Sequence, residues 1–293
     1  MATQSDGREH TNGISILSLD AGGPRGISQL EILRNIMDKL ADDEDDCPHP
    51  IIKRPCEVFT VIGGTGTGGL IAILLVVLGM ATNEALETFT DLVNKVFTDV
   101  DHNPIKQTER LNQAINDILI KHGVRPDTKL VVANGKPSTC RLAIPVVDRK
   151  NAGSPIILIN YVDRRGPPVN LTIAEAMLAT CASPPLFLPA KVIKDYSTFE
   201  YISADLGLSN PVREIIEGAH GAFGDETTVI CILSLGSGHP GVNVAPDSSG
   251  AADLVEFFRR IALDGERKAQ DMAIQMKKLT VAPKRHGDSP ESR

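Results

Sequence analysis

Cysteine is scarce and poorly placed for pairing: Cys47, Cys56, Cys140, Cys181 and Cys231 are odd in number and never spaced C-x-x-C. That pattern excludes a disulfide scaffold and a zinc knuckle, and a reducing compartment is expected. Basic charge is short as well, with 30 Lys and Arg against 37 Asp and Glu and a net charge of −7. A nucleic-acid binder needs a basic face to displace counterions from phosphates, so nucleic acid is not an expected partner. The seven histidines form no H-x-x-x-H or H-E-x-x-H pair, so neither a metal nor another cofactor is expected. No basic stretch followed by an apolar one opens the chain, so no secretory signal is read and the expected location is cytoplasmic. Residues 58–83 carry no charge, enough in principle to cross a bilayer, but GGTGTGG interrupts them. What remains is an apolar helix of about 11 residues over 70–80, too short to span.

The chain does have a normal apolar share, 42% of 293 residues, and glycine without a triplet period. One large α/β domain over 14–280 is expected, between a disordered arm at 1–13 and a disordered tail at 281–293. Strands are predicted at 14–19, 58–62, 129–132, 142–147, 156–162 and 229–235, and helices after the first glycine-rich turn and at 70–80, 83–98, 108–122, 172–180 and 251–276. In the first helix Ile27, Leu30, Leu33, Ile36, Met37 and Leu40 recur at three- and four-residue spacing, so one face meets a core. The acidic run 42–46 reads as a solvated loop. Alternating strands and helices predict a three-layer α/β/α fold, a mainly parallel sheet with helices on both faces, and a ligand site at the C-terminal strand ends.

Two glycine-rich turns sit where such a site would lie. The first, Asp20-Ala21-Gly22-Gly23-Pro24-Arg25-Gly26, joins a strand to a helix and leaves backbone N–H groups unshielded. Those amides, with the positive end of a helix dipole behind them, suit a phosphate or a developing oxyanion; a plain tight turn is the other reading. The second is Gly63-Gly64-Thr65-Gly66-Thr67-Gly68-Gly69. Gly64, Gly66 and Gly69 fit the dinucleotide fingerprint G-x-G-x-x-G, but Glu84 and Glu87, at the distance where an acidic strand end is needed, begin an amphipathic helix. Gly64-Thr65-Gly66-Thr67-Gly68 equally fits the nucleophile elbow G-x-S-x-G at every place except the serine. No other serine lies in that pattern.

In order along the chain, LSLDAGGPRG, VIGGTGTGGLIA, ATCASPP, YISADLGLSNPV and ILSLGSG resemble the successive motifs of the patatin-like phospholipase family. The family's forms are D-G-G-G-x-R-G, G-T-S-T-G-G, A-T-S-A-A-P, D-G-G-L-x-x-N-P-V and a later strand. The likeness runs over about residues 14–238 and is to a fungal-like member with glycine in place of the elbow serine. It implies a Ser–Asp dyad that removes acyl chains from lipid esters, without metal, in lipid metabolism. Carried over, Asp205 is the general base, Gly22 and Gly23 supply oxyanion-hole amides with Arg25 beside them, and Gly64, Thr65, Thr67 and Gly68 frame the elbow. Gly66 holds the place of the nucleophile. Ala21 replaces the family's first glycine, and Leu206 the glycine after the aspartate. The partners implied are a lipid or acyl ester and transient contact with a membrane surface. Similar fungal domains head longer chains, so a nucleotide-binding or repeat region is a further implied partner.

A glycine cannot attack an ester, and losing a serine-hydrolase nucleophile costs on the order of 10⁶ in turnover. Ordinary hydrolysis is therefore expected to be impaired. Thr65 and Thr67 flank the tip and point elsewhere, whereas Asp205 is able to activate a water over the emptied position. Outside the family pattern, Asp205 also reads as a turn carboxylate that accepts backbone N–H groups. The alternatives are a pseudoenzyme that serves as a lipid-binding or signalling module and, from another class, a nucleotide-binding α/β protein.

Overall fold

The computed structural model describes residues 13–42, 53–131, 139–194, 196–238 and 250–281. Among these, seven strands form one sheet in the order β5-β6-β3-β2-β1-β7, with β4 on the other edge of β3. They are β1 Ile14–Leu19, β2 Val61–Gly64, β3 Arg141–Asp148, β4 Pro155–Ile159, β5 Ala190–Lys194, β6 Ser197–Ser203 and β7 Val229–Leu235. The helices are α1 Gly26–Asp42, α2 Pro55–Val58, α3 Thr67–Val76, α4 Thr82–Phe97, α5 Pro104–Lys121, α6 Ile173–Cys181, α7 Val212–Phe223, α8 Ala251–Ala262 and α9 Glu266–Val281.

Successive strand residues point to opposite faces, and the core divides accordingly. Leu17, Leu19, Ile62, Leu142, Ile144 and Val146 join the larger cluster, with residues from α1, α3, α4, α5 and α6. Ile14, Ile16, Val61 and Ala143 turn to the other face, where Ile215 and Ala219 of α7 cover them. Helices thus lie on both sides of the sheet, and the expected α/β/α layering is present. α3 is buried at every position. A sequence apolar on all sides is consistent with a central helix enclosed by protein. Among the described residues no helix is long and apolar enough to cross a membrane.

The four strands β3-β2-β1-β7 are mutually parallel. On one edge β3 takes β4 antiparallel over Ala143–Val147. Its other edge is shared: β2 pairs in parallel over Arg141, Leu142 and Ala143, and β6 pairs antiparallel over Val146, Val147 and Asp148. Because β2 runs with β3 and β6 against it, the C-terminal ends of β2 and β6 converge near Ile144 and Pro145. That junction brings two distant segments of sequence together.

Several expected elements differ. The strand predicted at 129–132 is only an isolated bridge from Lys129 to Thr172; the Asn170 side chain, not a strand, bonds the backbone of Val131, and residue 132 lies outside the described residues. The single helix predicted at 251–276 divides into α8 and α9, and α8 closes with the Leu263 N–H on the Arg259 carbonyl. The pair β5–β6 and helix α7 were not anticipated. The arm at 1–12, the acidic residues 43–46 and the tail at 282–293 lie outside the described residues.

Candidate active site

β2 leads into α3 through Thr65 and Gly66, and Gly66 adopts φ 60°, ψ −131° as the N-cap of that helix. That conformation is strained for any residue with a side chain. The neighbouring glycines are required by space. A Cβ on Gly64 would lie 2.4 Å from the Gly68 carbonyl carbon, and one on Gly68 2.5 Å from the carbonyl oxygens of Leu19 and Asp20. The elbow is therefore pressed against the end of β1. At Gly66, by contrast, the nearest atoms a Cβ would meet beyond the adjoining residues are Ala21 Cβ at 3.2 Å, Ala21 Cα at 3.6 Å and Ser203 Oγ at 3.9 Å. A side chain at the tip would point toward the first glycine-rich turn and the end of β6.

The flanking threonines are held differently. The Thr67 hydroxyl donates to the Gly23 carbonyl at 3.0 Å, locking the two turns together. Thr65 Oγ1 is buried without a partner among the described residues. The tip carbonyl is held from α6, where Thr180 Oγ1 donates to Gly66 O at 3.1 Å.

The first turn is short and braced. Gly22 is extended, and Gly23, Pro24 and Arg25 form a single 3-10 turn before α1. A Cβ on Gly22 would lie 2.2 Å from Ser237 Oγ. That hydroxyl donates to the Ala21 carbonyl at 2.7 Å, so the segment after β7 packs on this turn. The Ala21 N–H donates to Ser209 O at 2.8 Å, and the Gln29 amide donates to the Asp20 and Leu235 carbonyls, both at 2.9 Å. Among the described residues the Gly22 and Gly23 N–H groups have no acceptor. Arg25 is exposed, its Nε near Gly22 O at 3.4 Å.

Asp205 follows β6 immediately and is 9% exposed. Its N–H donates to Ser203 Oγ at 3.3 Å, and Oδ1 accepts from Leu206 N–H at 3.0 Å. Ser203 N–H donates to Ala182 O at 3.0 Å, so the strand end carrying Asp205 and the Gly66 carbonyl hang on the same end of α6. The structure thus brings Ala21 and Ser203 Oγ to the point a Gly66 side chain would reach; Gly22 and Gly23 follow Ala21 in the first turn, Asp205 stands two residues after Ser203, and Arg25 lies at the exposed margin.

Further residues belong to this neighbourhood. Burial, and then the Asp205 charge, push the Cys181 thiol well above its ordinary value, so it stays a protonated thiol. α8 and α9 both lean on the Asp205 loop: Gly207 N–H donates to Ala262 O of α8 at 3.1 Å, and Lys268 Nζ of α9 donates to Gly207 O. The Asp205 charge also reaches the Arg259 guanidinium, which Glu256 chiefly holds above its ordinary value. Asp20, at the end of β1, is buried with Oδ1 unpartnered and a carboxyl pushed up to about 7. Burial is the main cause and Glu266 adds to it, against the Asn210 side chain. Sequence patterns had not singled out Asp20, Thr180 or Ser203, although each lies inside a quoted motif; their roles come from contacts between distant segments. No group of three or more His, Cys, Asp or Glu side chains able to hold a metal ion occurs among the described residues. Glu84 lies in α4, not at a strand end, which leaves the dinucleotide pattern without its acidic partner.

A largely parallel sheet between helical layers, with a strand–elbow–helix at the C-terminal edge, is the setting in which α/β acyl hydrolases carry their nucleophile. The model of the patatin-like phospholipase family matches residues 17–216, and the chain belongs to that family. It is 25% identical to Patatin-like protein 2 of Arabidopsis thaliana over 262 residues, covering 78% of this chain and 60% of that one. Probable inactive patatin-like protein 9 of the same plant is 24% identical over 246 residues, 79% of this chain and 62% of that one. Phospholipase A I, also from Arabidopsis thaliana, is 33% identical over 104 residues, 34% of this chain and 7% of that one. The chain thus spans about three-fifths of the length of the first two relatives.

Proposed function

We propose that this chain carries a patatin-type site for a lipid acyl ester whose hydrolysis is impaired because its elbow ends in Gly66. The observation that supports it best is the tip itself. Gly66 keeps the strained elbow geometry, and its side-chain direction leads to the turn bearing Gly22 and Gly23 and to the strand end bearing Asp205. Two amides would hold the carbonyl oxygen as it becomes an oxyanion, and Asp205 would take a proton from whatever oxygen attacks. With no side chain on residue 66, that oxygen comes from water or from a neighbouring hydroxyl. The substrate would be drawn from a membrane surface in transient contact, in keeping with an Arabidopsis relative named Phospholipase A I.

Hydrolysis of a short-chain aryl ester and of a phospholipid tests this, with the chain as given, Gly66→Ser, and Asp205→Asn in each background. Gly66→Ser is expected to raise turnover by orders of magnitude, and Asp205→Asn to abolish the gain. A Gly66→Ser chain that folds yet neither hydrolyses nor binds either substrate would overturn the proposal. The absent side chain favours a second reading, a module that binds the same lipid without turnover; lipid association with no hydrolysis in any variant would select it.

A further inference from the structure

We propose that Ser203 is the attacking nucleophile of this chain, a hydroxyl supplied by the end of β6 in place of the missing elbow serine; this rests on the acyl-ester reading above. Ser203 Oγ lies 3.9 Å from the point where a Cβ of residue 66 would stand, the nearest side-chain atom there after Ala21 Cβ apart from those of the adjoining Thr65 and Thr67. Since a serine oxygen sits about 1.4 Å from its Cβ, the Ser203 hydroxyl borders the volume that a tip hydroxyl would fill, and glycine leaves that volume open. The hydroxyl is also in a suitable state. It accepts from Asp205 N–H at 3.3 Å, and among the described residues its own proton has no acceptor. A serine hydroxyl has one proton to give, and here it is uncommitted, while the Asp205 carboxylate two residues on accepts from the Leu206 N–H at 3.0 Å.

Its placement is firm. Ser203 pairs with Val146 on β3 and donates its N–H to Ala182 O at 3.0 Å. Ala182 follows the helix whose Thr180 holds the Gly66 carbonyl. A strand-borne group braced on both sides keeps its position better than a free water. The nearest competitors are poorer. Thr67 spends its hydroxyl proton on Gly23 O, and Cys181 is held as a thiol by burial.

In the proposed step Ser203 Oγ bonds to the acyl carbon while its proton passes to the Asp205 carboxylate, and the oxyanion is held by the Gly22 and Gly23 N–H groups. Collapse breaks the bond to the leaving alcohol, which takes the proton from Asp205. Water then attacks the acyl-serine, giving its proton to Asp205. The carboxylic acid departs as the Ser203 oxygen takes that proton back. No other reagent is needed.

The test uses a p-nitrophenyl ester with the chain as given, Ser203→Ala, Gly66→Ser and the double variant Gly66→Ser with Ser203→Ala. Turnover is followed, and the acylated peptide is mapped by mass spectrometry after rapid acid quench. The chain as given is expected to turn over slowly and to carry the acyl group on Ser203. Ser203→Ala should lose that adduct and on the order of tenfold or more of the rate. Far-UV circular dichroism and the melting temperature of Ser203→Ala and of the double variant should match those of their parents, showing that the alanine leaves the chain folded. Equal rates for the chain as given and Ser203→Ala, with no adduct on residue 203, would overturn the inference while leaving the acyl-ester reading intact. So would turnover seen only in the Gly66→Ser chains. Absence of both turnover and ester binding in every chain would overturn both readings.

Discussion

Asp20→Asn isolates the cost of burying a carboxylate beneath the first glycine-rich turn. The Asp20 carboxyl is pushed from 3.8 to about 7 in the folded chain, chiefly by burial and next by Glu266. Between those two values the folded protein holds a proton that the unfolded chain has released. The folded state then binds more protons, so stability falls as the pH climbs from about 4 through about 7 and the full cost persists above that. A gap of about 3 pH units at 1.36 kcal/mol each makes that cost about 4 kcal/mol. Asparagine cannot ionise, and whatever its amide loses or gains in the pocket does not depend on pH. The stability of Asp20→Asn minus that of the parent is thus expected to grow by about 4 kcal/mol between pH 4 and pH 8. At roughly 2 to 4 °C per kcal/mol, the melting-temperature difference widens by roughly 8 to 16 °C, readable by calorimetry. A difference that stays level across that range would refute the reasoning, because Asp20 would then titrate as a solvated carboxyl despite its burial.

Gly66→Ser places a side chain at φ 60°, ψ −131° and 3.2 Å from Ala21 Cβ. A stability loss of about 1 to 3 kcal/mol is expected from urea unfolding, and an unchanged or higher midpoint would mean the elbow is not strained. Gly68→Ala pushes a methyl to 2.5 Å from two backbone oxygens, and a loss above about 3 kcal/mol is expected. Gly153→Ala, with nothing within 4 Å, serves as the near-neutral comparison; similar midpoints for the two would contradict the tight packing of elbow and β1.

The parallel half of the fold was legible because it is written locally. β1, β2 and β7 are short apolar runs, α1, α4 and α5 carry helical periodicity, and Gly123 at φ +69° stops α5 where the left-handed stop was expected. The antiparallel half was not. In the strands β5 and β6, AKVIK and STFEYIS, alternating burial is confined to Ala190–Val192 and Tyr201–Ser203, stretches too short to announce a strand in the sequence. Their pairing is fixed instead by one another and by the far end of β3. At 129–132 the apolar residues resembled a strand, but Asn170 supplied the hydrogen bonds a neighbouring strand would have made. Similarly, the elbow and the oxyanion turn were visible as glycine patterns, whereas the groups holding them, Thr180, Ser203 and Ser237, act across more than a hundred residues or from a strand no pattern announced.

Two of the departures from the family pattern prove to be one local event. Ala21, in place of a glycine, and Gly66, in place of a serine, face each other, since the methyl of the first lies 3.2 Å from where the Cβ of the second would be. The methyl limits what re-enters: a serine at 66 must push Ala21 aside by a few tenths of an ångström. The side of the gap toward Ser203 stays wider, at 3.9 Å. The pair of changes therefore narrows the space on the oxyanion-turn side and leaves it open toward the strand end that carries Asp205. If Ser203 attacks as proposed, its oxygen would enter through the wider side of the gap, and a methyl at residue 21 would not stand in its way.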